Sequence, residues 1–153
     1  MKNSNLRKQA ELISRDCIAV RVRLLNRIIT NIYDTAMRPY GISLNQASIL
    51  TIILITGGAR YGDICRILHM EKSTLSRNIE RMKKNNWIDS IKEGGSGFAV
   101  VKITPKGESV LEKAYLAWAK AQDDTLSCLG RDGANALMKL TERFWPMGTI
   151  QNK

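Results

Sequence analysis

The chain has 153 residues, a hydrophobic share of 44% and a formal net charge of +10. That length suits one domain, or one domain with dimerisation helices, and that hydrophobic share excludes a chain disordered by composition. The charge points to a polyanion, nucleic acid before an anionic membrane surface, against the plainer reading of a merely soluble basic protein.

In chain order, residues from about Leu6 to Met37 predict one long helix, since no Pro or Gly interrupts them. Ile18, Leu25, Ile29, Ile32 and Ala36 mark an apolar stripe that Cys17, Leu24 and Ile28 widen. A helix so long and so broadly apolar is not covered by a small domain alone, and a second subunit is the natural cover. Pro39, Tyr40 and Gly41 break it. Ser43 suits an N-cap, and Leu44 to Ile55 predicts a second helix, nearly apolar and hence central. Gly57-Gly58 ends it with the positive φ that helix ends favour. Tyr61 to Leu68 predicts a short third helix with Ile64, Ile67 and Leu68 inward, and His69-Met70 turns the chain.

The next stretch, Glu71 to Trp87, predicts a helix with Leu75, Ile79 and Met82 on one side, the i, i+4, i+7 spacing of a buried stripe. Its other side carries Ser73, Thr74, Arg77, Arg81 and Lys84, with Lys72, Ser76 and Asn78 beside them. Small hydroxyls at the N-terminus followed by cations suit a helix entering a major groove end-on, where arginines bond guanine edges or phosphate oxygens. The plainer reading is a solvated amphipathic face. Two short helices joined tightly, the second polar and basic, describe a helix-turn-helix. Asn86 suits a left-handed residue closing the helix. Ile88 to Lys92 and Phe98 to Thr104 then predict two strands joined by Glu93-Gly-Gly-Ser-Gly97, a wing. Thr104-Pro105 predicts an N-cap and first turn of a fifth helix running to about Leu129, where Gly130 ends it. A last helix is expected over roughly Asp132 to Trp145, with Leu137, Leu140 and Phe144 as its stripe and Pro146 as its stop.

Chemistry-bearing motifs are few. One histidine, His69, excludes a multi-histidine metal site within one chain. No phosphate-binding glycine loop, nucleophile elbow or metalloprotease motif is present, and the glycine-rich wing lacks the following helix that a phosphate loop requires. The three cysteines, 17, 65 and 128, are odd in number and far apart, so neither a disulfide framework nor a zinc site is expected. A polar N-terminus with no apolar run behind it leads us to expect no secretory signal, no membrane span and a cytoplasmic location. Neither an enzyme nor a cofactor is expected.

The element order and four local motifs resemble the MarR (multiple-antibiotic-resistance regulator) family of winged-helix transcription factors, from about Cys17 to Phe144. Gly41-Ile42-Ser43-Leu44-Asn45-Gln46 is similar to the family's Gly-Leu-Thr-x-x-Gln lead into the second helix. Ile64-Cys65-x-x-Leu68 is similar to Leu-Ala-x-x-Leu, Ser73-Thr74-Leu75-Ser76-Arg77 to Ser-Thr-Val-Thr-Arg, and Ile103-Thr104-Pro105-Lys106-Gly107 to Leu-Thr-x-x-Gly. The resemblance implies a mainly α single domain. It has a winged helix-turn-helix with a two-stranded hairpin over about 43–104, and helical dimerisation parts over about 6–37 and 105–146. It implies a homodimer that binds a pseudo-palindromic operator in double-stranded DNA and acts as a repressor released by a small-molecule effector. By the match, Ser73, Thr74, Ser76 and Arg77 are expected at bases. Lys72, Asn78, Arg81 and Lys84 are expected at phosphates, with Lys92 and Ser96 contributed by the wing. The wing departs from the family, whose tip usually carries an arginine for the minor groove; the tip here is Gly94-Gly95-Ser96-Gly97. A module that no longer reads DNA and partners another protein is the alternative that this departure raises.

Two regulatory readings also come from the resemblance. Some relatives sense hydroperoxides through a first-helix cysteine activated by tyrosines, and Cys17 lies at a broadly similar place; packing is the plainer reading of Cys17, and of Cys65 and Cys128. Many relatives bind small aromatic or phenolic acids between dimer body and winged helix. Tyr33, Tyr115 and Trp118 are the candidates for lining such a cleft, with a first-helix arginine on the carboxylate, against the plainer reading of core aromatics.

Overall fold

The computed structural model describes residues 2–92 and 99–144. Six α-helices and three short strands follow in the order α1 (Lys2–Asp16), α2 (Ile18–Met37), a 3-10 turn (Arg38–Tyr40), α3 (Leu44–Ile55), β1 (Ala59–Arg60), α4 (Tyr61–Leu68), α5 (Lys72–Lys84), β2 (Ile88–Lys92), β3 (Ala99–Ile103) and α6 (Pro105–Glu142).

The centre is α3. Its sequence is apolar nearly all round, so most of its surface must be enclosed. Ile49, Leu50, Ile52 and Ile53 are fully buried, against α4, α5, α6 and the sheet. Local chemistry fixes where it starts. Ser43 Oγ accepts from the Gln46 backbone N–H, and the Gln46 side chain accepts from the Ser43 N–H, a capping box. A tertiary bond adds to it: the Asp34 carboxylate of α2 accepts from the Leu44 N–H at 2.7 Å.

The expected single helix from Leu6 to Met37 is two helices. Cys17 takes an extended conformation (φ −72, ψ 111) and separates α1 from α2. No proline or glycine marks the break. The Arg15 carbonyl is turned instead to the Arg21 guanidinium at 3.0 Å, a side-chain partner in place of the helical N–H. The helix expected over Glu71 to Trp87 is shorter at both ends. Glu71 is its N-cap, Asn85 its C-cap, and Asn86 (φ 56) supplies the expected left-handed turn. Trp87 then drops into the core. The predicted break at Gly130 is present as a non-helical residue (φ 68, ψ 163) within α6. The predicted ends at Trp145 and Pro146 lie outside the described residues.

The sheet has three strands in the order β1-β3-β2, all antiparallel, so the wing hairpin is joined by a strand not expected from the sequence. β1 is only Ala59-Arg60, too short for an alternating pattern to appear. The second wing strand is also shorter than Phe98 to Thr104: Thr104 caps α6, and Phe98 lies outside the described residues.

The junction of wing and α6 is tightly built. Thr104 Oγ1 accepts from the Gly107 N–H and donates to the Asn86 carbonyl at 2.7 Å, while its own N–H reaches the Trp87 carbonyl at 2.9 Å. Gly107 is required there. A Cβ at that position would lie 2.1 Å from the Trp87 carbonyl oxygen. The motif Thr-Pro-Lys-Gly thus ties the turn that follows α5 to the long C-terminal helix.

Candidate nucleic-acid interface and ligand cleft

At 100° per residue, Leu75, Ile79 and Met82 fall on one side of α5, and all three are fully buried against α3 and α4. The direction opposite them is occupied by Ser73, Arg77, Arg81 and Lys84, all exposed. Glu80, exposed and at a similar angle, is an acidic member of this face that the sequence reading passed over. Lys72 is exposed at the start of the helix. Thr74, Ser76 and Asn78 are half-buried at its flanks. The eight α5 candidates therefore divide into an exposed group of five and a half-buried, lateral group of three.

Two of the lateral side chains are partly committed to the helix itself. Asn78 donates to the Thr74 carbonyl at 2.9 Å, and Arg77 Nη2 approaches Thr74 Oγ1 at 3.4 Å, a long and weak contact. Asn78 is thereby less free to meet an outside partner than Arg77, whose guanidinium is held only loosely. No side chain caps the N-terminus of α5, and its first intrahelical bond is Leu75 N–H to the Glu71 carbonyl. The N–H groups of Lys72, Ser73 and Thr74 are left to face outward partners, the arrangement that suits a phosphate oxygen.

The turn before α5 is held by a left-handed His69 (φ 48) and by Met70 N–H to the Cys65 carbonyl at 3.0 Å. His69 Nε2 also lies 3.0 Å from the Phe144 carbonyl. In the wing, Lys92 ends β2, and Ser96 with the rest of the glycine-rich tip lies outside the described residues.

A cavity of about 380 Å³ lies where α6 crosses α3, next to the helix-turn-helix. Tyr115 and Trp118 line it, as expected, with their rings stacked at 5.9 Å between centroids and 24° between planes. Tyr33 does not. It is buried in the seam between α2 and α6, where its hydroxyl donates to Gln122 Oε1. Burial there raises the phenol's pKa, and the neighbouring Thr125 hydroxyl opposes that rise. The phenol's hydrogen bond goes to Gln122, and Thr125 Oγ1 is buried with no partner of good geometry among the described residues. The expected first-helix arginine is absent from the described lining. Met37 of α2, Ser48 and Thr51 of α3 and Leu68 of α4 line the cavity instead. Ser48 and Thr51 were the available signal: they are hydroxyls three residues apart in the part of α3 that follows Gln46 and is otherwise apolar.

The cysteines remain separate. Cys17 is half-buried at the α1–α2 break, Cys65 half-buried in α4 and Cys128 exposed in α6. Tyr33 lies fifteen residues along α2 from Ile18, about 22 Å at the helical rise, so it does not stand beside Cys17 in the same chain. Among the described residues no group of three or more His, Cys, Asp or Glu is arranged to hold a metal ion, and no helix is long and apolar enough to cross a membrane.

Residues 40–97, the segment from the 3-10 turn through the wing, match the model of the MarR family. The uncharacterized HTH-type transcriptional regulator YwoH of Bacillus subtilis (strain 168) is 22% identical over 118 residues, which is 77% of this chain and 86% of YwoH. Mutant MarR of Escherichia coli, solved in complex with operator DNA, superposes with a TM-score of 0.75 at 15% identity, covering 86% of this chain and 96% of that one. Bordetella bronchiseptica BpsR, solved to explain regulation of its DNA binding by 6-hydroxynicotinic acid, superposes with a TM-score of 0.74 at 16% identity, covering 84% and 93%. The fold is that of these winged-helix regulators.

Proposed function

We propose, from the match of residues 40–97 to the MarR family model and from the winged-helix fold, that this chain is a homodimeric, sequence-specific DNA-binding transcriptional regulator, and a repressor that a small aromatic ligand releases. The observation that carries this reading is the outward face of α5. A helix whose opposite side is fully buried holds Ser73, Arg77, Arg81 and Lys84 exposed in one direction, with uncapped N–H groups at its leading end. Ser73 and Arg77 are the base-reading positions, with Thr74 and Ser76 at their side. Lys72, Arg81 and Lys84 neutralise phosphates. The DNA complex of the Escherichia coli relative supports the same use of the fold.

Dimerisation is supported by what the terminal helices leave uncovered. Leu6, Ile13, Ile18, Val22, Met138 and Leu140 are each more than half exposed. A second copy would bury them and set the separation of the two α5 helices, with half-site centres about one helical turn apart. Release by a ligand follows from the cavity's position. It is bounded by α6 on one side and by α3 and the end of α4 on the other, so an occupant alters how the helix-turn-helix sits on the dimer body.

Selection of binding sites from random duplexes by the purified full chain tests the reading. An enriched pseudo-palindrome is expected, with log affinity falling by about 0.9 per neutralised phosphate per log unit of salt. Arg77→Ala is expected to lose the sequence preference while remaining a folded dimer in a gel shift and in sedimentation. Failure to enrich any sequence would favour a protein-partnering module that no longer reads DNA.

A further inference from the structure

We infer that the cavity between α3 and α6 selects uncharged aromatic ligands and rejects carboxylates. The step from occupancy to DNA release rests on the function proposed above; the selectivity itself does not. At about 380 Å³ the cavity is near the lower end for small-molecule sites, which run from roughly 300 to 1,000 Å³. None of its described lining residues is charged at neutral pH. A buried carboxylate needs a cation or several charge-assisted hydrogen bonds, and here it meets methionine, leucine, alanine and aromatic surface.

The lining offers an anion only neutral donors, the Thr51 and Tyr115 hydroxyls and the Trp118 indole N–H, and Ser48 is not among them. The Ser48 hydroxyl donates to the Leu44 carbonyl at 2.9 Å, so toward a ligand it can only accept. The N-terminus of α3 reaches the cavity at Leu44, yet two of its leading N–H groups are satisfied within the fold. The Leu44 N–H goes to Asp34 and the Gln46 N–H to Ser43. The partner of Leu44 is itself a carboxylate. Asp34 therefore takes the place an anionic ligand would take at the helix end and adds a repelling charge beside the cavity. What remains is an apolar slot with stacked Tyr115 and Trp118 at hand, suited to a flat neutral ring whose single hydroxyl can donate to Ser48 or exchange a hydrogen bond with Thr51.

The test compares 2-naphthol with 2-naphthoate, matched in ring and differing in charge, by calorimetric titration of the full chain without DNA at neutral pH. The naphthol is expected to bind at least about tenfold tighter. Asp34→Asn, which keeps the amide oxygen as acceptor and removes the charge, is expected to narrow that ratio. Thr51→Arg, which places a cation in the lining, is expected to reverse it. Equal or tighter binding of the naphthoate by the unaltered chain overturns the inference, and so does binding of neither compound. A parallel gel shift on a selected operator separates the two claims. Selective naphthol binding by a protein that selects no operator removes the regulator and leaves the cavity reading. Operator binding with no naphthol binding does the reverse.

Discussion

The winged-helix segment and the terminal helices solve the same problem in different ways. From α3 to β3 the apolar residues close on one another: Ile49, Leu50, Ile53, Ile64, Leu75 and Met82 have no measurable exposure. In α1, the start of α2 and the end of α6 the apolar residues face outward, with Ile18 at 77% and Leu140 at 64%. Both regions are similarly hydrophobic in sequence. The first is compact enough to bury its own side chains; the second is a set of long helices with an apolar face on more sides than one chain can cover. One region is a finished core that displays cations, and the other leaves an apolar surface that the proposed dimer would cover.

The sharpest way to break this contrast is at the joint between the regions. Gly107→Ala puts a Cβ against the Trp87 carbonyl and is expected to cost about 3 kcal/mol or more, read as a lowered midpoint in urea denaturation. A midpoint equal to that of the unaltered chain would mean the joint yields freely. Next comes the open region. Leu140→Asp is expected to shift the sedimenting species from dimer to monomer while the far-ultraviolet helix signal changes little, since that side chain is mostly exposed in its own protomer. A monomeric unaltered chain would remove the contrast altogether.

A smaller effect tests the closed region. Ser43→Ala removes one half of the capping box on α3 and is expected to lower stability by about 1 kcal/mol, measured by thermal melting. The smallest effect lies on the seam between α2 and α6. Burial raises the Tyr33 phenol above its ordinary value of 10.0, so the folded chain holds that proton more tightly than the unfolded chain does. Its contribution is complete below that value and is lost as pH climbs through the raised one. Tyr33→Phe should flatten the loss of stability seen in denaturation curves above about pH 10.

Much of the architecture was legible because it rests on local rules. Ser43 with Gln46 three residues on is a capping box whatever surrounds it, and Thr104-Pro105 is a helix start for equally local reasons. Asn86 and Gly130 take the special backbone conformations their residue types favour. The exposed basic face of α5 was readable because three apolar residues at helical spacing leave only one direction for the cations. The break at Cys17 was not, as it carries no breaker and depends on Arg21 reaching the Arg15 carbonyl. β1 was hidden for a related reason: two residues become a strand only when β3 lies beside them.

The cavity between α3 and α6 shows most clearly where a sequence stops being informative. The sequence alone determined the order of elements, the caps, the buried stripe of α5 and hence its exposed basic side, because periodicity and capping act over a few residues. Tertiary structure decided that Tyr115 and Trp118 meet Ser48 and Thr51 across two helices while Tyr33 turns to Gln122. It also decided that Asp34 occupies the end of α3. Which residues of remote helices share a cavity depends on how those helices cross, and no spacing along the chain encodes a crossing.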